Sequence, residues 1–259
     1  MRDFLDMLAQ NAKETVLKAY YENAHSAVKV PVSMKKSIME KTTAAVITEV
    51  KGASPSLGTI RESFAPENIA SAMEKGGAAG ISVLTEPKHF HGSLSYLTKV
   101  REAVQLPILM KDIVVSASQV EAASKMGANA VLLILELFNR GYSECSVYEM
   151  IRKAHNENLE VLLEVHNRAE FRRALETEAD LIGINNRNLG TLKVDLYTTK
   201  RILSKHGADG RVVVSESGIC SPEDIRFLKS CGANAFLVGS AVMLADDVEA
   251  KVKEFVYAL

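Results

Sequence analysis

The chain has 259 residues, 47% of them hydrophobic and 24% charged, with a formal net charge of −1. That length fits one α/β barrel with a large core, and the composition is that of an ordinary soluble globular protein. A near-neutral chain without a basic block has no electrostatic pull toward nucleic acid or an anionic membrane surface.

The first residues, MRDFLDMLAQ, carry Asp3 and Asp6 where a signal peptide needs an apolar core, so secretion is not expected. No uninterrupted apolar run approaches membrane-spanning length. Cys145, Cys220 and Cys231 form an odd set without metal-ligand spacing and read as free thiols in a reducing cytosol. A cytoplasmic location is the expectation.

Phe4, Leu5 and Leu8, then Val16, Leu17, Tyr20 and Tyr21, recur at roughly helical spacing. Pro31 breaks the pattern, and Ser33 is placed to cap a short second helix over 34–41. Residues 1–43 therefore read as an N-terminal helical extension packed on the remainder of the chain. Whether it covers a barrel floor or a barrel mouth is left open at this level.

From residue 44 strand-like and helical stretches alternate to the end of the chain. Strand runs are predicted near 44–50, 80–84, 107–111, 130–135, 160–165, 181–185, 211–215 and 235–238. Ser116 and Ser221 are placed to cap the helices that come after them, with Pro222 at a first helical position. Gly follows two helix ends in the related segments KMGANAVLLIL (125–135) and SCGANAFLVGS (230–240). This alternation predicts an α/β fold, a single (β/α)8 TIM barrel over 44–259 carrying the N-terminal extension. The alternative is a doubly wound open sheet, but no Rossmann or P-loop signature lies where a strand meets a helix.

Several of these runs end in groups that packing does not require: ITEVKGASPS (47–56), PILMKD (107–112), EVLLEV (160–165), LIGINNR (181–187) and VVVSESG (212–218). Charges at the tips of buried strands cost free energy unless paired or in use. Side chains alternate faces along a strand, so Glu49 and Lys51 share one, as do Leu109 and Lys111, Leu162 and Glu164, and Gly183, Asn185 and Arg187. On the seventh strand Val213, Ser215 and Ser217 are taken as the inward set, with Glu216 pointing away in a supporting role. Alternate strands fill each barrel layer, so Glu49, Lys111 and Glu164 are expected to converge at the carboxyl end as an acid/base set. The competing reading is a buried ion-pair cluster that only closes the barrel.

Gly218, Gly239 and Ser240 come after strands seven and eight, where barrels commonly bind phosphate through backbone N–H groups. His89, His91 and His166 form no ligand pair of helical spacing. With His166 read on the face opposite Glu164, all three are assigned to surface or supporting positions, and no metal is expected.

Together these motifs resemble the indole-3-glycerol-phosphate synthase family, across essentially the whole chain. The most specific is E-x-K-x-x-S-P-S at Glu49–Ser56. It is joined by Lys111-Asp112, by Leu163–Asn167, by Ile184–Leu189, by Ser215–Ile219 and by the loop TEPKHFHGS (85–93) with Phe90. Ile113 stands where the family often has an aromatic residue, and Gly52 where a basic residue is common.

The resemblance implies conversion of 1-(2-carboxyphenylamino)-1-deoxyribulose 5-phosphate to indole-3-glycerol phosphate, carbon dioxide and water, in tryptophan biosynthesis. It implies Lys111 as general acid, with Lys51 assisting. Glu164 would stabilise an iminium and Glu49 remove a proton, with Asn185 beside them. Ser54, Arg187, Ser217 and Glu216 would contact the substrate, and Leu237, Phe90 and Leu133 would wall its aromatic ring. Efficient proton exchange is expected to require neighbours that pull the lysines and glutamates toward neutrality. No cofactor is implied. The partner is the phosphorylated small-molecule substrate, and docking with neighbouring pathway enzymes is left open. The rival readings are another phosphosugar barrel, such as phosphoribosylanthranilate isomerase, and a non-catalytic sensor on the same scaffold.

Overall fold

Eight parallel strands close into a barrel in which each strand pairs with its sequence neighbours and the last returns to the first. They are β1 (Ala45–Val50), β2 (Gly80–Leu84), β3 (Ile108–Lys111), β4 (Ala130–Ile134), β5 (Glu160–Val165), β6 (Leu181–Asn185), β7 (Val212–Glu216) and β8 (Ala235–Val238). The structure is a computed structural model that describes residues 3–22, 26–28, 30–54, 58–204 and 207–259. The strands fall within a residue or two of the predicted runs, and the closed barrel settles the choice against an open sheet.

The helices are α1 (Phe4–Leu17), α2 (Met34–Met39), α3 (Pro66–Lys75), α4 (Leu94–Ala103), α5 (Ala117–Lys125), α6 (Leu135–Asn139), α7 (Val147–Asn156), α8 (Arg168–Leu175), α9 (Tyr197–Leu203), α10 (Pro222–Ser230), α11 (Ser240–Met243) and α12 (Val248–Val256). Ser116 with Gln119, and Ser221 with Asp224, form capping boxes at the starts of α5 and α10. Gly127 and Gly232 adopt φ of +84° and +105° as the chain leaves these helices, a conformation glycine reaches without a Cβ clash. No helix among the described residues is long and apolar enough to cross a membrane.

Strand alternation divides the core in two. Val46, Ile81, Val83, Met110, Leu133, Val161 and Val213 face outward and pack under the helices. Ile47, Leu109, Leu162, Val214 and Leu237 face the barrel interior. The period-two rule thus holds on every one of these strands, but the face assigned to β7 was wrong. Val212, Val214 and Glu216 point in, while Ser215 points out to bond Asn186 and Thr199 behind the wall. Leu133 is likewise an outer residue, and its neighbours Leu132 and Ile134 are the inner ones.

The two helices of the extension sit at opposite ends of the barrel. In α2, Met34 and Ile38 join the interior cluster from below, and a methyl at Gly80 would collide with the Met34 thioether. The carboxylate of Glu160, at the start of β5, accepts hydrogen bonds from Ser33 Oγ (2.5 Å), Met34 N (2.6 Å) and Lys35 N (3.1 Å). It holds the positive end of α2 against the floor.

α1 crosses the mouth instead. Its Asp3 and Asp6 bind Arg140, just past the end of α6, at 2.8 and 2.7 Å. Its Asn11 meets His89 in the loop after β2 at 2.6 Å. The helix stops earlier than its apolar spacing suggests. Ala19 turns left-handed (φ 57°) and Leu17 is 85% exposed. Tyr21 then folds inward so that its hydroxyl donates to buried Asp112 at 2.9 Å.

Candidate active site

The inward parity of the odd-numbered strands delivers four charged side chains to one level at the carboxyl end of the barrel. Glu49 of β1, Lys111 of β3, Glu164 of β5 and Glu216 of β7 stand above Ile47, Leu109, Leu162 and Val214, two residues below each. This is the alternate-strand layering of an eight-stranded barrel. Lys111 Nζ lies 3.2 Å from Glu49 Oε2 and 3.1 Å from Glu216 Oε2. Just beyond β1, Lys51 Nζ lies 2.7 Å from Glu49 Oε1.

Three of these residues meet as expected, and Glu216 completes the layer in place of the supporting role assigned to it. Its Oε1 lies over Gly183, where any Cβ would overlap it. That oxygen is buried and accepts no hydrogen bond among the described residues. Counting two from Val214 as an interior residue would have placed Glu216 correctly.

Burial and neighbouring charge set the proton affinities. Burial raises the Glu49 carboxyl, but Lys111 and Lys51 outweigh it and hold it down to about 2. Burial works against the charged Lys111, yet Glu49, Glu216 and Glu164 overcome it and raise its pKa above the ordinary lysine value. These two groups are therefore driven away from neutrality, contrary to expectation, because they neutralise each other. Glu216 goes the other way. Burial dominates, Glu164 and Glu49 add repulsion, and Lys111 offsets only part, leaving its pKa raised to about 7.

Glu164 has a partner that parity reasoning misplaced. His166 is two residues on, hence on the same side, and its Nε2 lies 3.2 Å from Glu164 Oε1. The contact has ion-pair distance without the alignment of a hydrogen bond. Burial would raise the Glu164 carboxyl, but His166, Lys111 and Asn185 lower it overall.

Around this layer lies a cavity of about 380 Å³, within the range of small-molecule sites (about 300–1,000 Å³). One wall is apolar, formed by Phe4 and Leu8 of α1 with Phe90, Ile113, Leu132, Ile134 and Leu237. Phe90 is fixed there by Glu86, whose carboxylate accepts the backbone N–H of Lys88, His89 and Phe90 at 2.9, 2.7 and 3.1 Å. In sequence Phe4 and Leu8 read only as helix residues and Glu86 only as part of the loop 85–93, so their place at the cavity was not expected.

The opposite wall holds Ser54, Asn185, Arg187, Ser217, Gly218, Gly239 and Ser240. Asn185 Oδ1 accepts the Arg187 N–H at 2.9 Å, and Arg187 Nη1 donates to Leu192 O at 3.0 Å. Ser217 and Gly218 both take left-handed φ (68° and 84°), turning the loop after β7 back over the cavity. Gly239 is the N-cap of α11 and lies against the Lys51–Glu49 pair, so that a methyl there would fall 2.6 Å from Lys51 Nζ. Pro55 and Ser56 of the E-x-K-x-x-S-P-S motif lie outside the described residues.

Beside Lys111, Asp112 is buried and held by Tyr21, Thr85 Oγ1 (2.5 Å) and the Ile113 N–H (2.7 Å). Burial raises its pKa to about 6 despite those three donors.

The fold resembles that of thiamine phosphate pyrophosphorylase from Pyrococcus furiosus. The TM-score is 0.61 at 19% identity, over 84% of this chain and 95% of that one, a likeness of fold alone. Sequence relatives are far nearer. An indole-3-glycerol phosphate synthase of Geobacillus sp. (strain WCH70) is 43% identical over 210 residues, 81% of this chain and 80% of that protein. One of Burkholderia vietnamiensis is 41% identical over 256 residues, 95% of this chain and 96% of that protein. The family model described as indole-3-glycerol phosphate synthase matches residues 3–255, nearly the whole span that builds the barrel, its extension and the charged layer between them. The chain belongs to the indole-3-glycerol phosphate synthase family.

Proposed function

We propose that the four-residue charged layer and its lysine neighbour carry out the family's reaction in this chain, with Lys111 at its centre. Membership of the family makes the chain a carboxy-lyase of tryptophan biosynthesis acting on 1-(2-carboxyphenylamino)-1-deoxyribulose 5-phosphate. The observation that carries the residue assignment is Lys111 Nζ, held 3.2 and 3.1 Å from two carboxylates at the base of the cavity.

Ring closure joins the carboxylate-bearing aryl carbon to the ketone carbon, and negative charge collects on the ketone oxygen. Lys111, kept charged by its carboxylates, donates a proton to that oxygen. Carbon dioxide then leaves, and its electron pair restores the aromatic ring. Loss of the new hydroxyl as water, with removal of a proton from the adjacent carbon, completes the indole. Lys51 would protonate the departing hydroxyl.

The charge distribution alters the expected division between the carboxylates. Glu49, held near 2, is a weak base and serves to fix both lysines. Glu164, kept ionised, opposes the positive charge that builds on the ring nitrogen. Glu216, near 7, is matched to giving and taking a proton at neutral pH and is the better candidate for proton removal.

The substrate's phosphate would lie at Gly218, Gly239 and Ser240, where the first N–H groups of α11, which have no partner within the helix, and a left-handed glycine favour an anion. Arg187, Asn185, Ser54 and Ser217 would orient the carboxylate and hydroxyls. Phe90 and Leu237 would hold the aromatic ring.

Indole fluorescence on adding substrate tests this directly, because the chain contains no Trp. Lys111→Ala is expected to abolish the signal while a phosphorylated ligand still binds. Near-normal turnover would remove Lys111 as the acid.

A further inference from the structure

His166 belongs to no role so far assigned, yet its ring is held on both edges by carboxylates. Nε2 lies 3.2 Å from Glu164 Oε1, and Nδ1 lies 3.4 Å from Glu170 Oε2. Glu170 is itself fixed by the start of α8. Asn167 caps that helix by accepting the Glu170 N–H, and Glu170 Oε2 accepts the His166 N–H at 2.8 Å. A helix-capping device, Asn167-x-x-Glu170, thereby sets the position of a ring that touches the reaction layer.

We propose that His166 is a positioning residue for the reaction, its imidazolium clamped between Glu170 and Glu164 so that Glu164 stays ionised and aimed into the barrel. The proposal rests on the reading of Glu164 as a working carboxylate.

Charge balance explains the need. Among the described residues, Lys51 and Lys111 pair with Glu49 and Lys111 with Glu216, and no lysine lies within ion-pair distance of Glu164. A fully buried carboxylate without a close cation takes up a proton. His166 is the nearest cation to Glu164. Burial disfavours its charge, but Glu164 and Glu170 prevail and raise its pKa to about 10. Charged groups that also act on these two include Glu136 of α6 toward His166, and Lys111 and Glu216 toward Glu164. His166 also lines a second cavity, bordered mostly by polar residues, while Glu164 lines the first.

Glu164 works ionised, so activity falls as pH drops through its depressed pKa. Without His166 that pKa rises, and the acid limb of the kcat profile moves to higher pH.

The test compares His166→Gln, Glu164→Gln, the double variant and Glu170→Gln, read by indole fluorescence across pH. His166→Gln is expected to lower kcat about tenfold or more, to change KM little, and to move the acid limb up by about one pH unit or more. In the Glu164→Gln background the same change should alter kcat by less than about twofold, because His166 then has nothing to position. Glu170→Gln retains the packing and is expected to bring the alkaline loss of activity to lower pH, because His166 gives up its proton more easily and, once neutral, no longer holds the Glu164 carboxylate in place. An unmoved acid limb in His166→Gln, or an equal kcat loss in the Glu164→Gln background, overturns the positioning role alone. If His166→Gln does not fold, an unaltered alkaline limb in Glu170→Gln does so. Full activity in Glu164→Gln overturns both the proposal and the reading it rests on.

Discussion

Gly183 offers the sharpest test of how the reaction layer is seated. It lies on the inner face of β6, and Glu216 occupies the space its missing side chain leaves. A Cβ there would overlap Glu216 Oε1, approach Glu216 Cδ to 3.2 Å and touch Leu162 Cδ1 at 3.4 Å. In Gly183→Ala the carboxylate must withdraw, and this movement is expected to disturb its 3.1 Å contact with Lys111. Overpacking of this kind costs about 1–3 kcal/mol. In a domain of this size each kcal/mol lowers Tm by roughly 2–4 °C. Activity should suffer more than stability, because a displacement of about 1 Å at reacting groups can cost about 10²-fold in rate. Far-UV circular dichroism follows unfolding, and indole fluorescence follows turnover. A Gly183→Ala protein with wild-type Tm and kcat would falsify the seating of Glu216 over β6 and the four-member layer with it.

Asp112 predicts a pH dependence of stability. Its carboxyl is raised from 3.8 to about 6, so between those values the folded state holds a proton that the unfolded state has lost, and stability falls as pH rises. At about 1.4 kcal/mol per pH unit the contribution is about 3 kcal/mol. Asp112→Asn should flatten urea midpoints over that window relative to wild type, and an unchanged slope would place the proton elsewhere. Glu160→Ala removes the acceptor of three hydrogen bonds at the start of α2. A loss of about 1–2 kcal/mol with faster amide exchange in α2 is expected, and unaltered exchange would detach that helix from the floor. Gly239→Asp sets a carboxylate against the start of α11 and crowds Lys51. Binding of inorganic phosphate and of substrate should weaken together, whereas unchanged affinities would move the phosphate elsewhere.

The strand positions and the inward face of β1, β3 and β5 were legible because Glu49, Lys111 and Glu164 each stand two residues past a large apolar residue that must point inward. β7 was harder to read. Val212, Val213 and Val214 are all apolar, as strands covered on both faces are, so the pattern alone does not say which valine is inside. The serines at 215 and 217 looked like site residues, and that choice turned Glu216 outward. His166 was lost through a miscount of parity. The roof formed by Phe4 and Leu8 was not recoverable, since α1 reaches the cavity through contacts with loops more than seventy residues away (Asn11 to His89). The opposed shifts of Glu49 and Glu216 likewise depend on which carboxylate each lysine meets, and composition does not carry that.

The extension grips the barrel at both ends through partners that come much later in the chain. Asp3 binds Arg140, a separation of 137 residues, and Ser33 binds Glu160, a separation of 127. These two contacts cannot form until residues 140 and 160 have been made, whereas Asn11 and Tyr21 meet their partners His89 and Asp112 sooner. Contacts this distant close slowly because their loops carry a large entropy cost. The roof over the cavity is therefore completed only after β4 and α6 are in place, and assembly of a competent site waits on synthesis well past the middle of the chain.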